Sequence, residues 1–278
     1  MSCFLLAIVA AACAVGQSFT AGILLEGNDG TRTSWLAPAA TYGPKGWTTF
    51  NPKSIRGDWR LRGSKFDGSV VHVVRPCDGE GCWVTDLPKH EGKQIYQNAV
   101  GVLTTADVPV IMFQDQTGNA SEQDKVKAFL GKTIEMHLGL ILASKHLHPT
   151  KVVVSQRAEI TRSETAIDGQ TYYHVFYQSE IYDSQAPAGS DCKNFVFRLQ
   201  AWFTESAAGI RNLVTAQPQF DYCDGTNVTD LEPVGAILLD GTAFVIAAEG
   251  YYEGASAVVL IISPKSVKRL AENRYADT

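Results

Sequence analysis

The chain has 278 residues, 45% hydrophobic and 19% charged, with a formal net charge of −5 at pH 7. Enough apolar residues are present for a packed core, which excludes a disordered or low-complexity chain. The negative balance excludes a general electrostatic affinity for nucleic acid or anionic lipid, since both are polyanionic surfaces.

The first element is an uncharged apolar run, Phe4 to Val15, that ends in small side chains. Its length and flanks are those of a secretory signal peptide cleaved after Gly16, with Ala14 as a second cleavage point. Residues 17–278 are then expected to form a single β-rich domain, secreted and extracellular. The run is shorter than the ~20 apolar residues that span a bilayer, so no membrane insertion is expected after its removal. An uncleaved anchor or a lipid-modified Cys13 is the competing reading.

Export sets the redox state of the remaining cysteines. Cys77 and Cys82 enclose Asp-Gly-Glu-Gly, whose glycines permit the tight reversal a local bridge needs, and Cys192 is left to pair with Cys223. Zinc at Cys77 and Cys82 would need a second ligand pair that the sequence lacks, so no metal or cofactor is expected. Asn119-Ala-Ser and Asn227-Val-Thr are sequons in turn-like sequence, and both asparagines are expected to be glycosylated.

Strands are expected over 19–25, 47–50, 58–62, 70–75, 99–104 and 109–113. Ser121-Glu-Gln-Asp124 then reads as the cap of a short helix carrying Val126, Phe129 and Leu130. Ile134, Met136, Leu138, Leu140 and Leu142 recur at every second position, which predicts a half-buried strand over 133–142. Positions 134, 138, 141 and 142 also share a helical face.

From Lys151 to Arg162, Val152, Val154, Ala158 and Ile160 alternate with Ser155, Arg157, Glu159 and Thr161. Asp168-Gly169 follows as a two-residue hairpin loop, because both residues tolerate positive φ. That loop places Arg157 opposite Glu180, Glu159 opposite Gln178 and Ser163 opposite His174. Phe195, Phe197, Leu199, Ala201 and Phe203 form the apolar face of a further strand, with Arg198, Gln200 and Trp202 on its reverse. Residues 133–204 therefore predict an antiparallel meander with one buried face and one polar face. Strands over 210–216, 242–248 and 257–263 come next, and Ser263-Pro264 predicts the start of a C-terminal helix reaching Asn273. The chain is read as mainly β, an antiparallel β-sandwich or barrel with long meander strands and one or two short helices.

No nucleophile elbow, zinc-protease helix, phosphate loop or dinucleotide fingerprint occurs, so the familiar catalytic classes lack support. His146-Leu-His148 is a close histidine pair in turn-like sequence without a third ligand. Gly57-Asp-Trp59 resembles, over three residues, the Gly-x-Trp near the start of lipocalins, which implies a barrel holding a small apolar ligand. Arg157-Ala-Glu-Ile-Thr-Arg162 resembles the Arg-x-Glu-Leu-Arg strand of jelly-roll alginate lyases. It has one residue too many, and that family's Gln-x-His and Tyr-Lys strands are missing.

The polar sheet face is the candidate site. His137, Glu159, Gln178, Glu180, Gln200 and Trp202 are expected to bind a small molecule or glycan, with rings against sugar faces and fork-like donors for hydroxyls. The alternative is an extracellular enzyme of β-elimination type acting on a glycan or other carboxylated substrate. Arg157 or Arg198 would stabilise the enolate, and His174 or Tyr172 would move the proton.

Overall fold

The computed structural model describes residues 18–26, 33–55, 58–63, 68–77, 81–88, 98–145, 151–182, 194–222, 229–251, 254–263 and 265–277. The apolar leader, His146, His148, Cys192, Cys223 and Asn227 lie outside the described residues.

Alternating side chains and frequent turns produce a mainly β architecture. The first strands are β1 (Phe19–Glu26), β2 (Thr33–Gly43), β3 (Gly46–Thr49), β4 (Trp59–Arg62), β5 (Val70–Val71), β6 (Val73–Pro76), β7 (Trp83–Pro88) and β8 (Asn98–Thr104). They form one antiparallel sheet in the order β5-β4-β8-β1-β2-β7-β6, with β3 paired to β2. Next come β9 (Val110–Asp115), helix α1 (Ala120–Ser144), β10 (Lys151–Ser163), β11 (Gln170–Tyr182), β12 (Asn194–Ser206) and β13 (Arg211–Tyr222). The chain finishes with β14 (Asp230–Leu239), β15 (Thr242–Tyr251), β16 (Gly254–Ser263) and β17 (Ser266–Asp277). These build a second antiparallel sheet in the order β13-β12-β11-β10-β9-β14-β15-β16-β17.

Both sheets curl, because strand twist accumulates across many strands and each has an apolar face to enclose. The first wraps around Leu24, Leu36, Trp59, Leu61, Val71 and Leu103. Its other face packs on β14–β17 through a shared core that includes Ile23, Ala37, Val102, Ile237, Ile246 and Val259. The second sheet curls until Tyr172, Trp202 and Val214 on one flank meet Val245, Leu260 and Val267 on the other. That cluster is the interior of a nine-stranded barrel or half-barrel. Its outer wall is covered by α1, through Val126 and Leu130 against Ile160, Tyr173 and Phe203. Further along the helix, Ile134, Leu138, Ile141 and Leu142 pack on Ala158, Phe195 and Leu199.

Three expectations need correcting. Residues 133–142 are helix, not strand. Met136 and Leu140, which created the period of two, are 54% and 61% exposed, while the helical set at 134, 138, 141 and 142 faces the barrel. The helix starts at an Asn119 cap, whose side chain accepts from the Glu122 N–H at 3.3 Å. The C-terminal helix is likewise absent, and 266–277 is β17, paired along β16 with Ala271 and Tyr275 buried between the sheets.

The third correction is the β10–β11 register. The Asp168-Gly169 loop forms as predicted, with φ of 50° and 72° and a bridge from Ile167 to Gln170. Between that bridge and the Arg162–Tyr173 pair, however, four residues of the first arm lie opposite two of the second. This bulge moves the partners of residues 157–162 by two, and a second shift between Val153 and Arg157 moves those of 151–153 by two more. Arg157 therefore faces Gln178, Glu159 faces Phe176 and Thr161 faces His174. A shift of two keeps every side chain on its predicted face, but the Arg157–Glu180 pairing is lost.

Cys77 and Cys82 form the expected disulfide. Gly81, beside Cys82, lies against β17, where the Asn273 side-chain amide donates to the carbonyls of Gly81 at 3.3 Å and Pro38 at 2.8 Å. One side chain thus ties the loop and the first sheet to the second.

Candidate functional site

The face read as polar is turned into the barrel. Strand β11 is buried on both sides from Tyr172 to Tyr177, since α1 covers the odd-numbered side chains and the curl encloses the even-numbered ones. Cross-strand partners share a face, so the register lays the interior out in rows. One row is Asp115, Thr161, His174, Trp202 and Thr215, and the next is Glu159, Phe176, Gln200 and Gln217, with Asp115 and Gln217 exposed at the row ends. Beyond them lie Gln178, Arg198 and Gln219, with Arg157 at the adjoining register position. The Arg157 side chain lies outside the described residues.

Two sites predicted for the ligand face do not belong to this interior. His137 is on α1, on the opposite side of the sheet. Glu180 shares the interior parity but sits at the far end of β11, where it is exposed.

The row nearest that end is occupied by protein. Thr229 and Asp230, which lead into β14, lie across it. The Arg198 guanidinium donates to Gln178 Oε1 at 2.9 Å and to Asp230 Oδ1 at 3.2 Å, and it stacks 5.4 Å from the Phe176 ring centre. Gln200 Nε2 donates to the Thr229 carbonyl. Gln219 accepts from the Thr229 N–H and donates to its hydroxyl, both at 3.1 Å. Arg198, Gln200 and Gln219 therefore hold a strap of the chain itself, and Gln178 steadies Arg198.

The middle of the barrel differs. The His174 ring lies 4.8 Å from the Trp202 ring, and Trp202 meets Phe113 edge-on at 6.0 Å. The Tyr172 N–H donates to Ser163 Oγ at 3.0 Å. Thr161 Oγ1, Gln170 Oε1 and His174 Nε2 are buried and make no hydrogen bond to another described protein atom. Thr161 and His174 are direct cross-strand partners, which sets their Cβ atoms about 4.5–5.5 Å apart. Leaving a buried polar atom unsatisfied costs about 1–3 kcal/mol, and Ser34, Trp47, Trp59 and Ser179 carry such atoms elsewhere in the described fold.

Electrostatics sharpen the contrast. His174 is 2% exposed, and burial lowers its pKa to about 3, so it is a neutral imidazole at physiological pH. Burial and then the charge of Asp168 raise the Tyr172 phenol above its ordinary value. Glu232 is exposed near the start of β14, opposite Ala248, so solvent screens the charges around its carboxyl. Its carboxyl is pushed up to about 7 by dense surroundings and then by Glu159 and Asp115. Arg269 is held by Glu249 and Glu272.

Among the described residues no group of three or more metal-ligating side chains converges. Thr161, Gln170 and Phe113 were not among the expected site residues. Thr161 was legible as a neighbour of Glu159 on the same strand face, whereas Phe113 reaches Trp202 only because β9 inserts between β10 and β14. Comparison with protein-family models, with curated proteins and with solved structures found no match.

Proposed function

We propose that this chain is a secreted β protein whose larger barrel binds a small molecule around His174. The observation that carries the reading is the pair of buried, unpartnered polar atoms, Thr161 Oγ1 and His174 Nε2, beside the Trp202 and Phe113 rings. Ligand sites commonly combine an apolar lining with a few placed polar groups. Val245, Ala247, Val258 and Leu260 supply the apolar surroundings; they pack in one cluster with Tyr172 and Trp202, so a ligand enters only where that cluster parts. Export is supported by the apolar leader, the Cys77–Cys82 bridge and the exposed sequon at Asn119. A bridge between Cys192 and Cys223 belongs to the same reading. The described strand ends favour it, since Phe195 pairs with Tyr222, the residue before Cys223.

An elimination enzyme needs a proton acceptor poised near neutral pH. Tyr172 and His174 are displaced away from neutrality in opposite directions, and Arg198 is committed to Gln178 and Asp230. Binding is therefore the reading we put forward.

The test uses protein recovered from the medium of a secretory host, with its N-terminus read by mass. Gln17 should be the first residue. A thermal-shift screen of small uncharged aromatic and aliphatic compounds, with mono- and oligosaccharides included, should then find stabilising members. A ligand at a hundred times its Kd adds about 2.7 kcal/mol. Those hits should stabilise a His174→Phe variant less than the parent. A screen without hits, or hits that stabilise both proteins equally, would remove the barrel interior as the site.

A further inference from the structure

Helix α1 has more apolar surface than the barrel uses. Side chains three and four apart share a helical face, and Val126, Leu130, Ile134, Leu138, Ile141 and Leu142 use one such face to cover the sheet. A second apolar row runs along the flank through Phe129, Met136 and Leu140. Phe129 is partly buried against Phe203, whereas Met136 and Leu140 are 54% and 61% exposed. Single exposed apolar side chains are ordinary, but these two adjoin one another a turn apart. The exposed residues beside them, Ala128, Gly139 and Ala143, are too small to shield them.

Charge says what would fit over this row. Lys132 and Glu135 are exposed near the middle of the 25-residue helix, and neither forms an ion pair with another described residue. When two copies of α1 pack antiparallel about a twofold axis midway between these positions, Lys132 of each lies level with Glu135 of the other. The dyad sits close to the helix centre, so the two helices overlap along almost their whole length. Ala128 then lies level with Gly139 of the other copy, and no bulk separates the axes there. The dyad also keeps like flanks on the same side, so Met136 and Leu140 meet the Phe129 flank of the second copy. A parallel pairing would set Lys132 beside Lys132 and Glu135 beside Glu135, which is repulsive. The surface is thus complementary to itself in one orientation, as a twofold contact requires. Asp124 and Glu135 on the helix, and a chain of net charge −5, weigh against an anionic lipid surface as the occupant.

We propose that the outer face of α1 is the contact surface of a homodimer. Two copies of the helix cross antiparallel, with a Lys132–Glu135 pair on either side of the dyad and Met136 and Leu140 closed between them. One helix per subunit is at the small end of the interface range, so association is reversible and depends on concentration. The contact lies on the opposite side of the sheet from the barrel interior and stands apart from the ligand reading.

Sedimentation equilibrium of the full secreted chain tests this, at about 50 mM salt and from about 1 to 200 µM protein. The parent should dimerise with a Kd in the micromolar range. Lys132→Glu and Glu135→Lys should each weaken the dimer about tenfold or more, since each sets two like-charge pairs across the dyad. The double variant K132E/E135K recreates both pairs and should return the affinity to within about threefold of the parent. Met136→Glu combined with Leu140→Glu should leave a monomer, and circular dichroism checks that every variant is folded.

A parent that stays monomeric throughout that range would overturn the proposal. So would a dimer that ignores the single charge reversals, or one that the double variant fails to recover, because the contact would then lie elsewhere. Adsorption of a monomeric parent to phosphatidylcholine vesicles, abolished in M136E/L140E, would give the same face to a lipid surface and overturn it equally.

Discussion

Between pH 6.5 and pH 3 the protein should lose stability at up to about 1.4 kcal/mol per pH unit from His174 alone. The cause is the refusal of a proton. In the unfolded chain the imidazole titrates near 6.5, and in the fold burial lowers that to about 3. Below 6.5 the unfolded state gains a proton that the folded state does not, so the contribution is present above 6.5 and disappears as pH falls toward 3. The ceiling is about 5 kcal/mol, a large share of the 5–15 kcal/mol that holds a typical domain together.

Glu232 acts with the opposite sign, because its folded pKa is raised from 4.5 to about 7. Its favourable contribution is present below 4.5 and is lost as pH rises through 7, which flattens the observed curve between those values. Urea unfolding of the parent and of His174→Phe at several pH values isolates the histidine. The difference between the two should shrink or reverse toward acid, with the parent falling faster. Parallel curves would mean that His174 is not buried as described.

Gly22→Ala is expected to be among the most damaging single changes in the molecule. Gly22 lies at the bulge in β1, where it pairs with Pro38 of β2. A β-carbon there would stand 2.6 Å from the Ala37 carbonyl oxygen and 2.8 Å from the Pro38 α-carbon, both backbone atoms of a central strand. Neither can rotate away, so the two strands must separate. Overpacking of this kind costs ~3 kcal/mol or more. Pro38 has no N–H to donate and is tolerated inside a sheet because it sits at the bulge. Its carbonyl also receives the Asn273 bond that links the two sheets. Gly139→Ala is the matched control. It lies mid-helix on α1 with nothing within 4 Å of the added carbon, and it should raise stability by about 0.5–1 kcal/mol. Denaturant midpoints that move together for the two variants would contradict this packing.

Much of the fold was legible, and the reasons are local. The alternation of Phe195, Phe197, Leu199, Ala201 and Phe203 reports β12 directly, since one face meets α1 and the other meets the barrel interior. Asp168-Gly169 specifies its turn through positive φ. The misreadings share a different origin. On α1, exposed Met136 and Leu140 added a false period of two to a true helical stripe. At the C-terminus, Ser263-Pro264 resembles a helix start, but pairing with β16 and the burial of Ala271 and Tyr275 decide for strand. Strands β2 and β14 contain Pro38 and Pro233, residues that argue against a central strand until the neighbouring bulges are known.

The site was only partly legible for a related reason. That Glu159, His174, Gln178, Arg198, Gln200 and Trp202 share one face was legible, because a period of two survives a register shift of two, whereas the turning of that face into the barrel was not. Which of them remain unoccupied depended on Thr229 and Asp230 arriving from 29 to 32 positions away. Nothing near Gln200 or Arg198 in the chain announces that strap. Burial on both faces is equally non-local, since it follows from the curl of nine strands and the docking of α1.

The central claim is that the barrel interior around His174 is a ligand site, and the histidine ring can report on it directly. Long-range ¹H–¹⁵N spectra of the imidazoles, recorded at pH 7 with and without a saturating hit from the thermal-shift screen, follow each ring nitrogen. The expected result is a neutral His174 whose Nε2 signal shifts on binding, while the exposed His72 is unmoved. A His174 signal unchanged at saturation, with shifts confined to surface groups, would contradict the account.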